Sequence, residues 1–305
     1  MLERYYESPE RILTTVNDSP FLTKLWEEYV KTGKGFLAFR NGEATLYIKG
    51  VCVASFSCKK ETDYRINTRL LPISRSSIHL HESKFPDLIT EQEWKDRLGL
   101  NIGFYDVLDE ITENINKDSG PEDLQACEFY KFSPFSNTYG DWVLIDIEAA
   151  FNKSSKDNHL LDINHTDEGN NKRIDAVFFN PKTGGLFFIE VKRKSDPRMK
   201  DDETKRQVNR YKELIKKENE TIVNSYNALI NLLTKMGCGQ FGQKSVSKVY
   251  LALAITEFSR EEQKLELNEK IRQFEEDFPV VFIGNISSMK KGTLNKWERK
   301  IVNWK

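Results

Sequence analysis

The segment at residues 173–194, RIDAVFFNPKTGGLFFIEVKRK, constrains the fold more than any other part of the chain. Two apolar runs flank a turn rich in Asn, Pro and Gly, which is typical of a β-hairpin. If the hairpin is symmetric about its NPKTGG turn, residues whose numbers sum to 365 face each other. Asp175 then lies opposite Glu190, with Cβ atoms ~4.5–5.5 Å apart. Lys192, two residues further on, shares a face with Glu190.

The hairpin surrounds these two acids with apolar residues. Its strands are apolar on both faces, which predicts a sheet covered by helices on both sides. Carboxylates brought together in such surroundings repel each other and need a cationic partner. Mg²⁺ fits, because it is held by one or two carboxylates with waters and substrate phosphate, and it activates water for phosphodiester hydrolysis. Lys192 could orient or deprotonate that water, or neutralise developing negative charge. A structural salt cluster is the alternative interpretation.

A predicted helix at residues 201–217 carries Gln207 and Tyr211, which lie on one face at i and i+4 spacing. Asp175, the Glu-Val-Lys of the second strand and this Gln-x-x-x-Tyr together resemble the PD-(D/E)XK nuclease superfamily, in its RecB-like and Cas4-like branches. The resemblance covers about residues 125–285. It implies an α/β fold with a restriction endonuclease-like core, which is a central mixed β-sheet flanked by helices.

The resemblance also implies a role for each matching residue. Asp175, Glu190 and the Val191 carbonyl would ligate Mg²⁺, for which Mn²⁺ would substitute, and Lys192 would act on the attacking water. The Gln-x-x-x-Tyr pair would position the lysine, the metal shell or the substrate backbone. Two features depart from the family: Ile174 stands where Pro gives the motif its name, and the cysteines do not follow the iron–sulfur pattern of Cas4-like proteins.

The family often has a further acid upstream of the first core strand. Glu148, at the end of a predicted strand at residues 142–148, is the favoured candidate because it lies nearest the hairpin in sequence. Glu110 and Glu113, on a predicted helix, are the alternatives that the sequence leaves open.

A run of basic residues follows the predicted site, interspersed with acids. Such runs are usually solvated faces, but next to a phosphodiesterase site they also suit contacts with a nucleic-acid backbone. The candidate nucleic-acid-binding residues are Lys194, Arg198, Arg206 and Arg210.

Composition sets the broad class of the protein. A chain of 305 residues, 38% hydrophobic and 30% charged, is expected to form one or two folded domains. Its net charge of −1 does not by itself announce a nucleic-acid partner. The longest apolar run, at residues 249–255, is too short to span a bilayer, and the N-terminus lacks a signal-peptide pattern. We therefore expect a cytoplasmic protein without a membrane partner.

The sequence divides into two predicted domains. Residues 1–120 are expected to form an α+β domain with a hairpin turn at Asn41-Gly42, and residues 121–305 the nuclease domain. Recognition, partner binding and homodimerisation are alternative roles for the first domain.

Two functions follow. The first is a metal-dependent nuclease, an endonuclease acting on DNA, in restriction or anti-phage defence by the resemblance alone. The alternative is a non-catalytic nucleic-acid-binding or assembly protein that retains the nuclease fold.

Overall fold

The structure, a computed structural model, divides into two compact units. It describes residues 18, 20–40, 43–57, 64–67, 88–90, 114–115, 127–136, 141–150, 173–199, 202–238, 241, 245–258, 273–286, 289 and 291–304. The described residues up to 130 form one unit, and those from 131 onward form the other. The predicted boundary near residue 120 and the candidate acids Glu110 and Glu113 lie outside the described residues. No helix in the described part of the chain combines the length and apolarity that a membrane span needs.

The first unit is built on an antiparallel sheet. A short helix, α1 (Pro20–Leu25), continues into a π-helical turn at Trp26–Val30. Five strands follow in chain order within the sheet: β1 (Gly35–Arg40), β2 (Glu43–Ile48), β3 (Val51–Ser57), β4 (Tyr64–Asn67) and β5 (Leu88–Thr90). Arg40 pairs with Glu43, which confirms the predicted two-residue connection between β1 and β2.

The second unit contains the mixed sheet that the sequence predicted. Its strands are β6 (Val143–Ala150), β7 (Arg173–Asn180), β8 (Gly185–Arg193), β9 (Lys248–Thr256) and β10 (Val280–Phe282). Their spatial order is β10-β9-β8-β7-β6. β6, β7 and β8 pair antiparallel, whereas β8, β9 and β10 pair parallel. The α/β class and the mixed sheet are therefore confirmed.

The turn between β7 and β8 fixes the register of the central strands. Gly184 has φ +73°, and a Cβ atom there would lie 2.7 Å from the Ser247 hydroxyl oxygen. Only glycine suits both this left-handed conformation and the close approach of the chain before β9. The β7–β8 pairs run from Asn180↔Gly185 to Ala176↔Ile189, each summing to 365, so the predicted register is confirmed.

Helices cover both faces of this sheet. They are α2 (Glu203–Lys217), α3 (Asn219–Lys235) and α4 (Lys291–Val302). On one face, Phe188 of β8 meets Tyr226 of α3 edge-to-face, with ring centroids 5.5 Å apart. On the other face, Phe187 stacks on Trp142, with centroids 4.1 Å apart. The Trp142 indole N–H donates to Glu298 of α4 at 2.9 Å, so α4 covers that second face.

Glu298 fastens α4 to the β7–β8 hairpin. Its carboxylate accepts hydrogen bonds from the buried Trp142 indole, from the Asn180 amide at 2.7 Å and from the Thr183 hydroxyl at 2.9 Å. The sequence pattern did not predict α4, whose role depends on these long-range contacts.

We expect Glu298→Ala to destabilise the chain by about 1–3 kcal/mol for each buried donor that it leaves without an acceptor. Urea unfolding would measure this loss, with the adjacent exposed Arg299→Ala as the matched control. Equal midpoints for the two variants would contradict the proposed fastening of α4.

Candidate active site

The site lies where the β7–β8 ladder ends. Pairing stops at Ala176↔Ile189, and the Asp175 carboxylate accepts a hydrogen bond from the Val191 N–H at 2.6 Å. Continuing the register by one residue puts Asp175 beside Glu190. The N–H and C=O of one strand residue point to the same edge of the strand, so the Val191 carbonyl is directed to the same gap. The observed contact of Asp175 is thus with the Val191 N–H, whereas the family resemblance names the Val191 carbonyl as a metal ligand.

Glu190 and Lys192 form a buried ion pair on the same face. The Lys192 Nζ donates to Glu190 Oε1 at 2.5 Å, and the two residues are only 3% and 1% exposed. Burial lowers the pKa of Lys192, but the charges of Glu190 and Asp175 outweigh it and raise that pKa above its usual value. The lysine is therefore a fixed positive charge next to two carboxylates.

The donor atoms at this point suit a hard divalent cation. The carboxylates of Asp175 and Glu190 both act on Lys192, and Mg²⁺ typically takes one or two carboxylates with water completing its shell. Glu190 Oε1 binds Lys192, while its Oε2 is buried and accepts no hydrogen bond from the described residues. No group of three or more His, Cys, Asp or Glu side chains within the described ranges is arranged to hold a metal ion.

Helix α2 is joined to the start of β7 through the predicted Gln-x-x-x-Tyr pair. The Tyr211 hydroxyl donates to the Arg173 carbonyl at 2.5 Å, and the Gln207 amide donates to Tyr211 at 2.9 Å. Burial, and then the charge of Glu190, raise the pKa of Tyr211 above its usual value, so the phenol stays protonated and can donate. Tyr211 thus holds the main chain two residues before Asp175.

Glu148 lies on β6 in an unusual backbone conformation. Its φ is +44°, which is uncommon for a residue with a side chain. The residues before and after it pair with β7, as Ile147↔Ala176 and Ala149↔Ile174, but Glu148 itself has no partner in that register. Its carboxylate accepts from Arg173 Nη1 at 3.2 Å, with the two side chains 32% and 31% exposed. A pair so exposed contributes roughly 0–1 kcal/mol to stability.

Asp146 and Arg173 lie on the face of the sheet that carries the candidate site, and the sequence did not predict either of them as a site residue. Asp146 is buried on the same face of the sheet and accepts from the Tyr226 hydroxyl at 2.8 Å. The signal was present, because two acids two residues apart, Asp146 and Glu148, interrupt an otherwise apolar strand. Arg173 had no such signal, since its partners lie on β6 and α2.

The four basic candidates occupy different surroundings. Arg198 holds the buried Asp196 carboxylate at 2.7 Å, and its charge lowers the pKa of Lys192, which indicates that it lies near the site. Lys194 is exposed, with its Nζ 5.8 Å from the Phe258 ring centroid. Arg206 and Arg210 are exposed on α2.

Comparison of the chain with protein-family models, curated proteins and solved structures found no match.

We expect Lys192→Met alone to destabilise the protein by ~3–5 kcal/mol, because it leaves the Glu190 charge buried without its partner. Glu190→Gln alone should also destabilise it, and the double variant should recover much of the combined loss. Chemical denaturation of the four proteins in a double-mutant cycle would measure the coupling. Additive losses would show that the ion pair is not the unit that the geometry indicates.

Removing the Tyr211 hydroxyl tests the link between α2 and β7. We expect Tyr211→Phe to lower the unfolding free energy by about 1–2 kcal/mol, since the Arg173 carbonyl loses its donor. Tyr250→Phe is the matched control, because the structure gives its hydroxyl no hydrogen bond to a described residue. Indistinguishable unfolding curves for the two variants would count against the link.

Proposed function

We propose that the chain is a metal-dependent nuclease that hydrolyses nucleic-acid phosphodiester bonds, with DNA endonuclease activity as the expected form. The observation that carries the proposal is the convergence of Asp175, Glu190 and Lys192 at the open end of one hairpin. Two acids and a buried amine have little structural reason to meet in an apolar sheet, because burying them is costly.

A divalent metal ion fits the donor set at this position. Asp175, Glu190 and the Val191 carbonyl would hold Mg²⁺, or Mn²⁺ in its place. When bound, such an ion lowers the pKa of water and stabilises negative charge on phosphate. The same carboxylates are held by protein groups, Asp175 by the Val191 N–H and Glu190 by Lys192, which sets their orientation in advance.

The remaining residues have roles that follow from their contacts. Lys192 supplies positive charge to the oxygens of the reacting phosphate and orients the attacking water. Tyr211, supported by Gln207, keeps the beginning of β7 in place, so that Asp175 stays opposite Glu190. Hydrolysis joins the water oxygen to phosphorus and breaks one phosphorus–oxygen ester bond, and the leaving oxygen takes up a proton.

The fold supports the same proposal. A mixed sheet with helices on both faces, the acids on two adjacent strands and the Gln-x-x-x-Tyr on the next helix agree with a restriction endonuclease-like core. A defence role, recognition of DNA rather than RNA and a partner for residues 1–120 are carried by the resemblance alone.

A second candidate function has one observation in its favour. Asp175 and Glu190 each already bind a protein group, so the cluster can exist as an internal salt bridge without metal. A non-catalytic nucleic-acid-binding or assembly protein with this fold would show the same contacts.

The deciding experiment combines cutting and metal binding. The purified chain would be incubated with linear duplex DNA, supercoiled plasmid, single-stranded DNA and RNA in Mg²⁺, Mn²⁺ or EDTA. We expect metal-dependent cutting that falls by about 10²-fold or more in Asp175→Asn and in Glu190→Gln, because each removes a carboxylate that would hold the metal ion. Arg299→Gln, at an exposed position of α4, should cut normally.

Thermal unfolding with and without Mg²⁺ separates the two candidates. Stabilisation of the wild type that disappears in Asp175→Asn supports the nuclease. Cutting that survives in Asp175→Asn would place the chemistry elsewhere, and neither cutting nor metal-dependent stabilisation would favour the non-catalytic protein.

A further inference from the structure

Arg173 is a cation on the same face of the sheet as the candidate active site. Arg173 precedes Asp175 by two residues on β7, so the two side chains share a face, and its backbone pairs with Ala150 of β6. Its guanidinium pairs with the Glu148 carboxylate at 3.2 Å, and each side chain is about one-third exposed, at 31% and 32%. Solvent therefore reaches this ion pair, whereas it scarcely reaches Glu190 and Lys192.

The main chain holds both partners of this pair in fixed positions. The Arg173 carbonyl accepts from the buried Tyr211 hydroxyl, so the backbone that carries the guanidinium is anchored to α2. Glu148 has a left-handed φ of +44°, flanked on both sides by regular β6–β7 pairs. Strained positions of this kind persist only where the surrounding structure enforces them, and they concentrate at functional sites.

The chemistry of the pair matches that of a nucleic-acid backbone. Guanidinium has a planar fork of donors that fits phosphate as well as it fits carboxylate. A partly exposed carboxylate–guanidinium pair is weak, because water competes for both partners. A phosphate diester can therefore replace Glu148 on Arg173 without leaving the guanidinium uncompensated.

We propose that Arg173 binds a phosphate of the nucleic-acid strand next to the one that is cut, and that Glu148 occupies Arg173 until that phosphate displaces it. The inference rests on the proposed function in that its ligand is a phosphodiester. Arg173 is a substrate-binding residue here, and Glu148 is its exchangeable counter-ion. The negative charge of Glu148 opposes the approach of any anion that cannot engage the guanidinium fork.

The test measures binding without cutting. Fluorescence anisotropy would follow a short fluorescein-labelled DNA duplex and the matching single strand in EDTA, at low and fixed ionic strength. The proteins are the wild type, Arg173→Gln, Arg173→Lys, Glu148→Gln and the control Arg299→Gln. The control removes the same charge from an exposed position of α4, where the Arg299 guanidinium donates to the Asn295 carbonyl of its own helix.

Arg173→Gln should weaken binding about tenfold, and Arg173→Lys by less, because it keeps the charge but loses the fork. Glu148→Gln should tighten binding about threefold, since the competing carboxylate is gone. Arg299→Gln should bind like the wild type. Thermal midpoints of all five proteins, compared with that of the control, identify any variant whose loss of binding reflects unfolding.

Two results would overturn the inference. One is equal binding by Arg173→Gln and Arg299→Gln, including the case in which no protein binds the duplex or the strand. The other is unchanged or weaker binding by Glu148→Gln, which would make Glu148 a residue that acts with the substrate or the metal instead of against the phosphate. Cutting assays in Mg²⁺ on the same proteins test the proposed function separately. A wild type that binds DNA through Arg173 but does not cut it would contradict the nuclease proposal and leave the phosphate contact of Arg173 standing.

Discussion

The β7–β8 hairpin is the element on which the second unit depends, because β8 is the central strand of its sheet. The turn at residues 181–184 sets the register on one side, and the Gly184 carbonyl accepts from the Ser247 N–H at 2.8 Å on the other. One short turn thus fixes where β7 ends relative to where β8 and β9 begin. The positions of Asp175 and Glu190 follow from this register, since each lies a set number of residues from the turn.

The site exists because backbone pairing ends before the strands do. Where a regular ladder would continue, side chains replace the backbone partners. The Asp175 carboxylate accepts from the Val191 N–H, and the Tyr211 hydroxyl donates to the Arg173 carbonyl. The main chain stays satisfied where the backbone pairing of the two strands ends, as buried polar groups require. The carboxylates of Asp175 and Glu190 both act on Lys192 at this end of the hairpin, and the rest of the hairpin is buried among apolar residues.

Interactions between residues close in sequence made the hairpin, and the Gln207–Tyr211 pair of α2, predictable from the sequence. The turn residues fixed the register that opposes Asp175 and Glu190, and helical spacing placed Gln207 beside Tyr211. What Tyr211 binds could not be predicted, because the Arg173 carbonyl belongs to a segment distant in sequence. The pairing of Glu148 with Arg173 depends on the β6 register, which a bulge between Leu144 and Asp146 shifts by one residue. The contacts of α4 could not be predicted either, because Glu298 binds residues more than 100 positions away in the sequence.

The irregularity of β6 has a consequence for how the protein behaves in a crowded solution. Among the described residues, β6 is the outermost strand of its sheet, and an outer strand offers unpaired backbone groups to the strands of other molecules. The bulge and the left-handed Glu148 each interrupt the even spacing of those groups. A foreign strand can match such an edge over only a few residues, so the backbone distortion at Glu148 also discourages edge-to-edge aggregation.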